Sequence, residues 1–143
     1  DSLFISVGNK AITKSDIVHE IKMILILNGQ AYTEDKRDEL QTAAIQSVIK
    51  RNLKKVETEK YPALAYNKAD LENELKKIAK SMNMDVDSLQ ETFFSNGLDF
   101  RILNDSVKTD LLWNTLIFKL YNDRLSVNLE EIEDQLEYYK DQD

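Results

Sequence analysis

The chain is predicted to be mainly α-helical, with about six helices around a long central helix and a small N-terminal β-hairpin. Three observations predict it. Apolar residues recur every three or four positions along most of the 143 residues. Three Gly and one Pro are too few turn residues for an all-β fold. Residues 4–14 alternate weakly instead, with Phe4-Ile5-Ser6-Val7 and Ala11-Ile12-Thr13 flanking Gly8-Asn9-Lys10, the pattern of a hairpin. At this length, residues 1–143 read as one domain able to bury a core.

Each helix carries its own signals. Ser15 is placed to cap the first, Asp16 lies in its first turn, and Ile17, Ile21, Ile24 and Leu25 form its inner face. Asn28-Gly29 ends it. Thr33, Glu34 and Asp35 open the second helix, whose stripe is Leu40, Ala44 and Val48 with Leu53 and Val56 as its extension. Tyr61-Pro62 breaks the pattern. Asn67 and Asp70 open a third helix that turns Leu71, Leu75 and Ile78 inward. Asp85 caps a short fourth helix with Val86, Leu89 and Phe93 on one side, and Gly97 supplies a left-handed stop. Asp99 then caps a long helix from about Phe100 to Arg124, whose Leu111–Tyr121 segment is apolar on nearly every side. Asn128 and Glu131 form a capping pair for a last helix, so 129–143 is read as an acidic terminal helix or linker.

Charge is unevenly distributed. The formal net charge is −7, and residues 128–143 carry seven carboxylates against Lys140 alone, which leaves the rest close to neutral. Nucleic-acid binding is therefore not expected, since no positive field covers the body. Lys50, Arg51, Lys54 and Lys55 are explained as cations at the favoured end of a helix. Membrane insertion is not expected either: the longest apolar run, Met23 to Leu27, is five residues.

Little catalytic chemistry is available. Cysteine is absent, which removes disulfides and thiolates. His19 is the only histidine, and Ser15 and Asp16 lie within one turn of it. A triad draws its members and an oxyanion site from separate elements, so this cluster does not make one. No metal-binding loop or Gly-rich phosphate loop is present, and neither a metal nor a cofactor is expected. The positive signal is an apolar surplus. Met23, Ile26, Leu27, Phe94, Trp113 and Phe118 exceed what a narrow core stripe requires and are the candidate contacts for a polypeptide client.

Three stretches resemble one family. Ile5-Ser6-Val7-Gly8-Asn9-Lys10-Ala11-Ile12-Thr13-Lys14-Ser15-Asp16-Ile17 is similar to a Val-Asn-x-x-Ile-x-x-Ser-Asp-Val opening. The helix from Ala69 ends in Asn83-Met84, and Asn96-Gly97-Leu98-Asp99-Phe100 matches an Asp/Asn-Gly-Leu-x-Tyr/Phe junction. In that order and spacing they resemble the N-terminal chaperone domain of SurA-type periplasmic folding factors, and more loosely PrsA-type ones. The resemblance covers nearly the whole chain. It implies an ATP-independent, periplasmic module that holds unfolded, aromatic-rich polypeptides such as outer-membrane proteins. Such modules usually precede parvulin-type prolyl isomerase domains, whose sequence these residues lack, so isomerase activity is not expected of them.

Two other readings remain open: the non-catalytic part of a prolyl isomerase, or a helical assembly domain with one fixed partner. The family's returning C-terminal segment is also not found in these residues. An apolar patch at Met23, Ile26 and Leu27 is therefore expected to stay uncovered, and to drive homodimerisation or exchange of the hairpin or the 129–139 helix.

Overall fold

The computed structural model describes residues 2–142. A hairpin of β1 (Leu3–Val7) and β2 (Lys10–Thr13) leads into α1 (Lys14–Leu27). A single 3₁₀ turn at Glu34–Lys36 introduces α2 (Arg37–Thr58), and α3 (Lys68–Ser81), α4 (Val86–Ser95) and α5 (Arg101–Asp141) follow. The described residues are thus mainly helical, with five α-helices rather than about six.

The hairpin is antiparallel, pairing Ser6 with Ala11 and Val7 with Lys10, with an irregularity between Leu3 and Ile5. Gly8, the first central residue of its turn, has φ +56°. A Cβ there would also lie 3.1 Å from Val56 Cγ2, so the tip needs glycine both for its backbone and to lie against α2. Ile12 and Val7 are buried beneath the hairpin, whereas the rest of β1 is exposed.

The cap of α1 is Thr13, two residues before the expected Ser15. Its hydroxyl accepts from Asp16 N–H, and the Asp16 carboxylate accepts from Thr13 N–H at 2.8 Å, a reciprocal capping box. Asn67 and Asp85 cap α3 and α4 as expected, through bonds from Ala69 N–H and Ser88 N–H. Helices α1, α3 and α4 end alike, with a left-handed residue at Gly29, Asn83 and Gly97 respectively. At α4, Leu98 N–H bonds to Phe93 O and Gly97 N–H to Phe94 O, and Leu98 then packs on Phe93 in the core.

Two apolar clusters result. One joins Val7 and Ile12 of the hairpin to Ile17 of α1 and to Ala44 and Val48 of α2. The other gathers Met23, Leu75, Ala79, Leu89, Phe93, Leu98, Leu103 and Val107 from α1, α3, α4, α5 and the turn before α5. α1 contributes to both, which ties the hairpin end to the α3–α4 end. Phe93, wholly buried, meets Phe100 edge to face with ring centroids 5.1 Å apart.

Helix α2 is held by ions as well as by its stripe. Arg51 donates both terminal nitrogens to Glu20, each at 2.8 Å, and Glu20 is only 2% exposed. Lys54 reaches Asp110 at 2.8 Å, and Lys55 pairs with Asp105. Three of the four cations ascribed to helix-end electrostatics are therefore tertiary partners of α1 and α5.

The long helix differs most from expectation. It does not stop near Arg124, and Asn128 does not begin another. Leu125-Ser126-Val127 contains neither Gly nor Pro, so nothing breaks the ladder, and α5 runs on for 41 residues in all. Residues 129–141 are its distal end, not a separate helix or linker. Its first half packs against α2 and α3. From Ile117 to Gln142 every residue is exposed, so only the proximal part is central.

Candidate polypeptide-binding surface

The titratable side chains sort first. Asp16 is engaged in the α1 capping box, which turns it to Thr13 rather than His19, and His19 is exposed. Among the described residues there is no group of three or more His, Asp or Glu able to hold a metal ion, and no helix long and apolar enough to cross a membrane. The carboxylates with lowered pKa are held by near neighbours in the chain. Asp85 is held below its ordinary value mainly by the Ser88 N–H, and Asp99 by its bonds from the Arg101 side chain.

The six sequence candidates separate into different places. Met23 is 4% exposed inside the larger core cluster, and Ile26 and Leu27 pack half-buried against it. The expected open patch on α1 is therefore covered by the protein's own residues. These side chains widen the apolar face of α1 because α3, α4 and α5 lie on that side. Trp113 is half-buried where α5 leaves the body. Phe94 is 84% exposed, one residue beyond the buried Phe93, and it borders a shallow hollow with Gln90, Leu98 and Phe100. Phe118 is 68% exposed on the distal half of α5. The six do not form one surface.

An apolar hollow lies elsewhere, between the hairpin and the α1–α2 pair. A cleft of about 430 Å³ is walled by Phe4, Ile17, Val18, Ile21 and Ile45, with Lys14 and Gln41 as polar lining. Its geometry follows from local rules. The side chains of Leu3, Phe4 and Ile5 cannot all turn to one face of a period-two strand, so part of this run stays in solvent whichever face is covered. On α1, Ile17 and Ile21 are one turn apart and line the cleft together. Val18, next to Ile17, is turned outward and extends the apolar wall, at 51% exposure. Among the described residues the sheet has only two strands, so one edge of β1 has no strand partner. The arrangement sets an apolar hollow against the edge strand β1.

Ile17 and Ile21 pack in or against the core, as the sequence predicts, and also line the cleft, whereas the exposed Leu3, Phe4 and Val18 are not among the sequence candidates. The signal was present: three consecutive apolar residues in a two-stranded hairpin, and Ile17-Val18 side by side on a helix, exceed what one inner face can take.

A second apolar surface is the distal half of α5. Phe118, Tyr121, Leu125, Leu129, Ile132 and Leu136 fall within a sector of about 80° on a regular helix. All are exposed. No known family, curated protein or solved structure matches this chain.

Proposed function

We propose that this protein is an ATP-independent chaperone module that holds unfolded, apolar and aromatic-rich polypeptides, with outer-membrane proteins of the periplasm as the client class. The observation that carries the reading is the cleft between the hairpin and α1–α2, with Phe4 and Val18 exposed on its wall and the open edge of β1 beside it. The resemblance of the hairpin and the Asn96–Phe100 junction to SurA-type chaperone domains supports the same reading.

In this mechanism a client segment lies along β1, shares backbone hydrogen bonds, and inserts an aromatic or aliphatic side chain between Phe4, Ile17 and Ile45. Burial contributes about 25 cal/mol per Å² of apolar surface, less the cost of ordering the client. A shallow site of this kind gives weak, exchangeable binding, which is what a client must have in order to leave and fold. No bond is made or broken, and no catalytic role is assigned to His19.

The test is light scattering of an unfolded membrane-barrel protein diluted from denaturant, without nucleotide, at several-fold molar excess of this chain. Aggregation is expected to be delayed by the wild type and much less by Phe4→Asp, whose side chain is already half in water. Scattering unchanged by the wild type overturns the proposal. Equal protection by Phe4→Asp moves the seat away from the cleft.

A further inference from the structure

The distal half of α5 carries a second interaction surface that the holding function does not use. From Ile117 to Asp141 the helix extends for about 35–40 Å and buries nothing. Its apolar residues are patterned as a heptad seam. Phe118, Leu125, Ile132 and Tyr139 recur every seven residues, and Leu129 and Leu136 recur four residues after Leu125 and Ile132. A solvated helix has no use for such a seam.

We infer that this arm pairs with the arm of a second copy of the chain, as an antiparallel two-stranded coiled coil. Area supports a second helix as the occupant. Covering six seam residues on each chain, at about 100 Å² apiece, removes about 1,200 Å² from water, the lower end of the range for a stable interface.

Charge decides the direction. Residues 128–142 carry Glu130, Glu131, Glu133, Asp134, Glu137 and Asp141 against Lys140, whereas 117–127 carry Lys119 and Arg124 against Asp123. A parallel pair lays the two acidic halves side by side. It would match Asn122 with its twin, but one amide layer does not offset a row of like charges. The antiparallel pair lays each acidic half along the weakly basic half of its mate.

The seam also fixes a register. Phe118 faces Leu136 of the second copy, Asn122 faces Ile132, and Leu125 faces Leu129, each layer occurring twice by symmetry. In this register Lys119 and Glu133 of opposite copies flank the seam on one side, and Arg124 comes alongside Glu131 on the other. Lys119 now pairs with Asp123 of its own helix at 3.1 Å, an exposed contact that leaves two of its donors available. Cleft and arm share no residues, so the two proposals fail independently.

Sedimentation equilibrium and spin-label distances on the whole chain test the inference. A concentration-dependent dimer is expected, and Leu129→Asp is expected to weaken it more than about 100-fold, since the charge enters the central layers twice. Far-UV circular dichroism verifies that this variant keeps its helix. Lys119→Glu and Glu133→Lys are each expected to weaken the dimer roughly fivefold, and the double exchange to restore it.

The chain has no cysteine, so Asp141→Cys carries a single label. Two labels about 40 Å or more apart support the antiparallel arrangement, and about 25 Å means a parallel one and overturns it. A strict monomer at all concentrations, or a dimer indifferent to Leu129→Asp, also overturns the inference.

Discussion

Helix α5 contains two regions that are alike in composition and opposite in surroundings. Residues 101–116 hold seven large apolar side chains in sixteen positions, and residues 117–141 hold eleven in twenty-five, nearly the same density. In the first stretch Leu103, Val107 and Leu116 are buried against neighbours; in the second no residue is buried. The backbone is one continuous helix, so helix propensity does not separate them. What separates them is whether α2 and α3 lie alongside. Apolar content thus measures how much contact a segment can make, and only topology says whether this chain supplies it.

Substitution at matched positions sharpens the contrast. Leu103→Ala, which empties a buried site on the proximal half of α5, is expected to cost about 2–5 kcal/mol in urea unfolding. Leu129→Ala on the arm is expected to change the stability of the dilute monomer by less than about 0.5 kcal/mol. A cost of several kcal/mol at Leu129 would mean that the arm is packed within one chain, and the contrast would collapse.

Ion pairs give a second contrast. Arg51→Ala strands the buried Glu20 carboxylate and is expected to destabilise by about 3 kcal/mol, because an unpaired charge is left out of water. Lys119→Ala removes an exposed pair with Asp123 and is expected to cost about 0.3 kcal/mol. Chemical denaturation of both variants in the same buffer reads the difference. Equal losses would place both pairs in the same dielectric surroundings, contrary to their burial.

The smallest effect concerns pH. Asp85 has its carboxyl held below its ordinary value, mainly by the Ser88 N–H. A depressed folded-state value means that this contribution is complete above the unfolded value and disappears as pH falls through the folded one. Asp85→Asn keeps a capping oxygen without a titrating charge. Its melting temperature should therefore fall less than that of the wild type on acidification below about pH 4. Parallel melting curves across that range would remove this cap from the acid response.

Much of the body was readable in the sequence because its signals are local. Asn67, Asp85 and Gly97 mark helix ends through bonds to residues two to four away, and the Leu40-Ala44-Val48 stripe follows from periodicity alone. The misreadings share another cause. Asn128 and Glu131 have the spacing of a helix start, but without a breaker before them the ladder continues, and a capping pattern inside a helix has no effect. Met23, Ile26 and Leu27 looked surplus because their partners Leu75, Phe93 and Leu103 lie far along the chain. The Lys54 and Lys55 partners are also about fifty residues away, as the Asp110 and Asp105 contacts show. The cleft escaped notice for the same reason. Its wall joins β1, α1 and α2, and no single stretch carries its outline.

Trp113 stands where the two regions of α5 meet, half-buried on the last turns that touch the body and about one turn before Phe118. It is the only indole in the chain. Its fluorescence is therefore an intrinsic, label-free signal placed at the boundary. Loss of the α2–α5 contact should shift its emission to the red, and a partner settling over the start of the arm should shift it to the blue. One optical channel can separate melting of the body from occupation of the arm by the sign of the change, without adding a dye to either surface.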